Sequence, residues 1–355
     1  MVIQLQDYSI HIGDLSKPLL DYFKANQISK IFVIVDENTK MHCLPLLSFE
    51  GMPDYQLISI QAGEHHKNIT TCNEIWEKLI SADADRQSIV LNLGGGVIGD
   101  MGGFCAATFK RGIRFLQIPT TLLSQVDASV GGKLGIDFKE VKNAVGLFQN
   151  PEAVIIQPNF LQTLSYRELR SGFAEVIKHA LIEDENQWKK LQNTVDLKAI
   201  DFQELIHHSV LIKKLIVEED PFELGIRKKL NFGHTIGHAI ESFYLNSDDP
   251  LLHGEAIAWG MVAEAYISME TSGLHRSDFE QIFQYIHEMY LLEPISQENL
   301  PELLKVMKND KKNSFGKINF TTLKSPGISL VNQEISASYI SNAILAINTR
   351  LSKGK

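Results

Sequence analysis

The first 150 residues alternate unbroken apolar runs with amphipathic stretches. The runs 31–35, 55–60, 88–93 and 115–118 are nearly continuous in isoleucine, valine, leucine and phenylalanine. A strand covered on both faces has this texture, whereas a half-exposed strand alternates apolar with polar. The intervening stretch 69–81 has helical spacing instead. Strand–helix alternation of this kind predicts a parallel α/β sheet.

After about residue 160 the period changes. Segments 165–183, 200–218, 234–246, 254–272, 275–290 and 334–350 carry helical periodicity, and only 317–331 reads as strand. The chain therefore divides into an N-terminal α/β domain with a parallel sheet, 1–158, and a mainly α-helical C-terminal domain, 159–355. Asn150-Pro151 and Pro158-Asn159 are the candidate joins. A ligand cleft is expected where two such halves meet. The chain has no internal repeat and no low-complexity tract.

Behind the run ending at Leu93 stands Gly94-Gly95-Gly96-Val97-Ile98-Gly99-Asp100, followed by a helical stretch. G-x-G-x-x-G in a strand–turn–helix setting lets a backbone approach a pyrophosphate, with the helix N-terminus donating to it. The next strand lacks the acid that would hold a ribose, since it ends Ile118-Pro119-Thr120-Thr121. The strand-end acid is Asp36, earlier in the chain.

The helical half carries the other chemistry. Leu230-Asn231-Phe232-Gly233-His234-Thr235-Ile236-Gly237-His238-Ala239-Ile240-Glu241 puts two histidines four apart, and Leu252-His253-Gly254-Glu255 adds a third. Residues i and i+4 share a helix face, so His234 and His238 can aim at one ion and His253 can close on it. Upstream, Glu175 and Lys178 share a face in Ala174-Glu175-Val176-Ile177-Lys178-His179. Lys133, Lys142, Lys178 and Arg227 lie beside glycine turns or these motifs, which points to an anionic substrate, phosphorylated or carboxylated.

Bulk properties narrow the partners. A net charge of -9 over 355 residues argues against nucleic acid or a membrane surface. The amino end lacks signal-peptide regions and no apolar run is long enough to span a bilayer. Cys43, Cys72 and Cys105 are scattered and odd in number, as expected of reduced thiols in a cytoplasmic protein.

Together these motifs, with Ile118-Pro119-Thr120-Thr121-Leu122-Leu123-Ser124-Gln125-Val126-Asp127 and Val130-Gly131-Gly132-Lys133, resemble the 3-dehydroquinate synthase family of sugar-phosphate cyclases, from about Asp36 to Lys312. The resemblance implies a Rossmann-like domain followed by a helical one, NAD and a divalent metal (Zn²⁺ or Co²⁺), a homodimer, and a sugar phosphate bearing a carboxylate as substrate. It implies metal ligands Glu175, His234 and His253, with His238 facing the substrate. It implies NAD contacts from Asp36, Glu64, Lys67, Gly95, Gly96, Asp100, Thr120, Thr121, Lys133, Lys142, Thr163 and Leu164. Substrate contacts would come from Arg111, Asp127, Lys133, Asn143, Lys178, Lys213, Glu223, Arg227, Asn231 and His238, with one lysine of Asp310-Lys311-Lys312. Ala62 and Leu134 stand where the family often has proline and threonine. The competing readings are a polyol dehydrogenase, another sugar-phosphate cyclase and a zinc hydrolase; the clustered cations disfavour the first and the glycine loop the last.

Overall fold

The computed structural model describes residues 1–139, 141–194, 196–245, 247–308 and 318–353. Its strands are β1 Val2–Gln4, β2 Ser9–Ile12, β3 Ile31–Val35, β4 Gln56–Ser59, β5 Ile89–Gly94, β6 Arg114–Pro119, β7 Lys133–Phe138, β8 Val141–Phe148, β9 Ala153–Ile156, β10 Ile318–Ser325 and β11 Ile328–Ile335. Its α-helices are α1 Ser16–Ala25, α2 Glu37–His42, α3 Ile69–Ser81, α4 Gly96–Thr108, α5 Tyr166–Glu183, α6 Glu185–Leu191, α7 Phe202–Glu219, α8 His234–Tyr244, α9 His253–Thr271, α10 Arg276–Tyr290, α11 Leu300–Lys308 and α12 Ala337–Lys353.

The chain forms two compact units: 1–169 with 201–218, and 170–200 with 219–355. The second domain read from the sequence as 159–355 differs in two respects, since residues 159–169 and α7 group with the sheet. The first unit is built on a seven-stranded sheet in the order β1-β2-β9-β6-β5-β3-β4. All its pairs are parallel except β1 with β2. Alternate residues of β3 serve opposite faces. Ile31, Val33 and Val35 join a core with Leu15, Leu19 and Phe160, while Phe32 and Ile34 join one with Ile75, Leu79, Met101 and Cys105. Each such buried aliphatic side chain contributes roughly 1.5–3 kcal/mol, which is why the run has no polar gap.

From β3 the chain steps outward to β4 and then returns to β5 on the other side of β3. Neighbouring parallel strands whose connections leave in opposite directions open a crevice at their carboxyl ends. Asp36 and the Gly94–Gly96 turn follow β3 and β5 at that end. The β7–β8 hairpin was not foreseen: Gly135 and Gly146 face one another across it, and its outer residues are exposed.

The second unit is mainly helical, with the antiparallel β10–β11 hairpin at 318–335 where a single strand was expected. Its central element is α9, buried from Ala256 to Ser268 at every position but Tyr266 and packed against α8, α10, α12 and β10. That explains a helix with almost no polar face.

Candidate active site

In the sheet unit, the glycine turn leaves a helix start uncapped. Gly95 is the N-cap of α4 and offers no side-chain acceptor. The first N–H groups of a helix lack internal partners and attract anions. A methyl group added at Gly96 would meet only the Ala128 side chain, at 3.8 Å, so there is room above the turn. Thr120 ties the end of β6 to this turn, its N–H donating to the Gly94 carbonyl at 3.0 Å, and Thr121 lies against Gly95. Asp36 begins α2 with a reciprocal cap, accepting from the Thr39 N–H at 2.7 Å while its own N–H donates to the Thr39 hydroxyl at 3.0 Å.

Beside the turn, Lys67 is buried and donates to Asp100 at 2.6 Å and to the Asn143 side-chain oxygen at 2.7 Å. Burial works against its charge, but Asp100 and Glu64 outweigh this and hold its pKa above the ordinary lysine value. Asn143 adopts a left-handed φ of 49° and its N–H donates to Asp137 at 2.6 Å. Lys142 stands 3.9 Å from Glu64. On α7, Lys213 pairs with Asp127 at 2.7 Å. Lys133 opens β7 and is exposed; Thr163 and Leu164 close a 3-10 turn over Pro158–Thr163. Arg111 stands apart from the others. It precedes β6, whose amino end pairs with that of β5, so it lies at the opposite end of the sheet from the glycine turn.

In the helical unit, four side chains converge. His234 is the first residue of α8, His253 the first of α9, and Glu175 lies fully buried on α5. The Nε2 atoms of His234 and His253 are 3.5 and 3.4 Å from one oxygen of Glu175. His238 is adjacent, its ring centroid 5.0 Å from His234 and 5.7 Å from His253. The other oxygen of Glu175 pairs with Lys178. The histidine tautomers follow from their partners. His234 Nδ1 lies 3.1 Å from the Phe232 carbonyl, which only accepts, so it carries the hydrogen. His253 Nδ1 lies 3.3 Å from Glu241. Both rings therefore present Nε2 to Glu175.

This donor set fits a divalent ion. Two nitrogens and a carboxylate oxygen are usual Zn²⁺ donors, and bonds of about 2.1 Å at tetrahedral angles put neighbouring donors about 3.4 Å apart. The three imidazoles also satisfy the proximity a common ion requires, with ligand atoms all within 4.8 Å. The two histidines differ in their electrostatics. Burial, with Lys178 beside it, drives His234 well below the ordinary histidine pKa. At His253 burial is outweighed by Glu241 and Glu175, and its pKa is pushed up to about 10. The pocket thus disfavours a proton on one imidazole and invites positive charge at the other.

The loop leading into α8 holds Glu223, Arg227 and Asn231. Asp220 organises it by accepting from the N–H groups of Leu224, Gly225 and Arg227 at 2.9, 2.7 and 3.1 Å. Arg227 is buried and donates to the Pro221 carbonyl at 2.5 Å; Asn231 donates to Glu223 at 2.7 Å, and Glu223 adopts a φ of 60°. The residues Asp310, Lys311 and Lys312 fall outside the described residues. Two members of this surround were missed in the sequence. Glu241 continues the i, i+4, i+7 stripe of His234 and His238, so a longer look along that face finds it. Asp220 left no local signal, because its partners are backbone groups.

The fold is shared with solved structures. A 2-deoxy-scyllo-inosose synthase complexed with carbaglucose-6-phosphate, NAD⁺ and Co²⁺ matches with a TM-score of 0.86 over 97% of this chain and 99% of its own, at 21% identity. ValA, a 2-epi-5-epi-valiolone synthase from Streptomyces hygroscopicus with NAD⁺ and Zn²⁺ bound, matches with a TM-score of 0.87 over 99% of both, at 23%. Glycerol dehydrogenase from Schizosaccharomyces pombe is more distant, with a TM-score of 0.65 over 99% of this chain and 91% of its own, at 15%. The architecture is thus the dehydroquinate synthase-like one, an α/β unit followed by a helical unit.

Sequence takes the assignment further. The family models for the 3-dehydroquinate synthase N-terminal and C-terminal regions match residues 57–171 and 172–313. A 3-dehydroquinate synthase of Parabacteroides distasonis is 43% identical over 92% of this chain and 94% of its own; one of Pelagibacter ubique is 38% identical over 91% and 90%. The chain belongs to the 3-dehydroquinate synthase family.

Proposed function

We propose that this protein converts 3-deoxy-D-arabino-heptulosonate 7-phosphate to 3-dehydroquinate and phosphate, as a phosphate-eliminating lyase of the shikimate pathway. The observation that carries this is the match of both halves to one family, with relatives of that name across nearly the whole chain. The overall change is a transient oxidation at C5, elimination of phosphate, re-reduction, and an intramolecular aldol closure, so NAD is not consumed.

On this reading Glu175, His234 and His253 hold the divalent ion, and the sheet unit holds NAD through Asp36, Glu64, Lys67, the Gly95–Gly96 turn, Asp100, Thr120, Thr121, Lys133, Lys142, Thr163 and Leu164. When bound, the ion supplies Lewis acidity toward the substrate hydroxyls and NAD⁺ accepts and returns hydride. The chain's own residues do the rest. Lys133, Asn143, Arg227 and His238 grip the phosphate, whose departing charge needs cations and hydrogen-bond donors. Lys178 and Lys213 engage carboxylate and hydroxyls, with Asp127, Glu223 and Asn231 orienting them. The C6 proton goes to the substrate's own phosphate. One lysine of Lys311 and Lys312 completes the set.

The same reading makes the protein cytoplasmic, since among the described residues no helix is long and apolar enough to cross a membrane and the three cysteines are free. It also makes it a homodimer. Arg111, read from the family resemblance as a substrate contact, lies at the opposite end of the sheet from the glycine turn and is left out of this set.

The test is an assay of the purified chain with the heptulosonate phosphate, Zn²⁺ and trace NAD⁺. Stoichiometric phosphate release without NADH accumulation supports the cyclase. Net NADH formation from a neutral polyol would replace it with a dehydrogenase, and turnover of glucose 6-phosphate alone with another cyclase.

A further inference from the structure

Helices α8 and α9 pack antiparallel at unusually short range. A side-chain carbon at Gly260 would overlap the Gly233 carbonyl oxygen; one at Gly237 would sit 3.0 Å from the Ala256 carbonyl oxygen, and one at Gly233 3.1 Å from that of Ile257. Gly233 also has a left-handed φ of 80°. The N-cap of α8 must therefore be glycine, and a glycine has no side chain to accept the first N–H groups of the helix.

Glu264 supplies what Gly233 cannot. It is fully buried on α9, three turns along from His253. One carboxylate oxygen accepts from the Gly233 N–H at 2.6 Å and the other from the Ile236 N–H at 3.1 Å. Its charge also sits at the positive end of the α8 dipole. At the far end of the same helix pair, Glu241 on α8 meets His253. The two helices are pinned at both ends by a carboxylate, and the pinned backbone includes the positions flanking His234.

We propose that Glu264 is a positioning residue for the metal site: by capping α8 from α9 it sets the helix register that brings His234, His253 and Glu175 together. The inference rests on the metal reading given above. It differs from a stability role, because a cap that only stabilised α8 would leave the binding geometry unchanged once the protein had folded.

The experiment uses full-length, metal-stripped protein titrated with Zn²⁺ by calorimetry and with Co²⁺ by visible absorption, comparing wild type, Glu264→Ala, Glu264→Gln and Asp184→Ala. Asp184 caps α6 in the same unit through the Gln187 N–H at 2.9 Å, so its loss reports on stability alone. Glu264→Ala is expected to weaken metal affinity about tenfold or more and to alter the Co²⁺ band intensity. Glu264→Gln, which keeps one acceptor, falls between it and wild type. Asp184→Ala lowers the melting temperature and leaves both metal readouts alone. If wild type binds and both Glu264 variants bind equally tightly with an unchanged spectrum, the proposal is wrong and the metal reading stands. If wild type itself binds neither ion, the metal reading fails and takes the proposal with it. Should Glu264→Ala not fold, Glu264→Gln carries the same comparison.

Discussion

Helices α4 and α8 both start behind a glycine N-cap with no capping side chain of its own, yet their starts are used in opposite ways. The α4 start has no side-chain cap, and a methyl group at Gly96 would make only an ordinary contact, with Ala128 at 3.8 Å. The α8 start is neutralised from within, by the buried carboxylate of Glu264. One helix start is left without a side-chain cap; the other is satisfied by packing and presents side chains instead. Glycine before a helix is thus one sequence signature with two physical meanings, and only the neighbouring element decides between them.

The largest expected effect breaks the side-chain-built site. His253→Ala removes one of the three donors proposed to hold the ion, and is predicted to lose bound metal together with about a thousandfold or more in turnover, since a Lewis acid contributes several kcal/mol. Its melting temperature without metal should stay near that of wild type. Wild-type turnover by metal-stripped His253→Ala would overturn the ligand assignment.

Next comes packing of backbone on backbone between α8 and α9; the close neighbours of the α4 glycines Gly99, Gly102 and Gly103 are side chains. Gly260→Ala drives a methyl group into the backbone of Gly233, where no rotamer can relieve it. A loss of about 3 kcal/mol or more is expected in denaturant unfolding. In α4 the tight neighbours of Gly99 are side-chain atoms of Gln117 at 3.2 Å, which can give way. Gly99→Ala should therefore cost far less, and equal losses would erase the distinction drawn here.

The difference also explains what could be read in advance. The glycine turn was legible because a backbone-built site is contiguous: strand, turn and helix follow one another between 89 and 108. So were β3 and β5, whose burial on both faces leaves an unbroken apolar run. The helical cluster was legible only in part. His234 and His238 declare themselves by spacing, but Glu175 comes from another helix far upstream, and spacing alone favoured a three-histidine set. Glu175 entered as a proposed ligand through the family resemblance, not through periodicity. The strands β1, β2 and β9 are three or four residues long, too short to show a period. Glu264 was hidden because its partners are N–H groups, which every residue but proline carries.

A smaller effect separates ligand binding from stability at the α4 start. Gly96→Ala adds a methyl group that makes only an ordinary contact with Ala128 at 3.8 Å, and alanine favours a helix over glycine by roughly 1 kcal/mol. Stability should hold or rise. If the turn receives a pyrophosphate, the same methyl group blocks its approach, and NAD affinity should fall about tenfold in calorimetry. Arg227→Ala should do the converse, weakening phosphate recognition by about tenfold or more while sparing NAD. Equal losses of both ligands in either variant would contradict the assignment of NAD to the sheet unit.

The smallest effect concerns the loop that carries Arg227. Burial tends to raise the Asp220 carboxyl, but the N–H groups of Gly225, Leu224 and Arg227 outweigh it and hold its pKa below the usual value. A carboxylate depressed by folding stabilises the protein above its unfolded pKa of about 3.9. That contribution is lost as pH falls through the lower folded value. The difference in stability between wild type and Asp220→Asn should therefore be full at pH 6 and shrink as pH drops below about 4. A constant gap between wild type and Asp220→Asn down to the acid transition would mean that the three N–H groups gain nothing from the charge, and that the turn around Arg227 is held by its backbone shape alone.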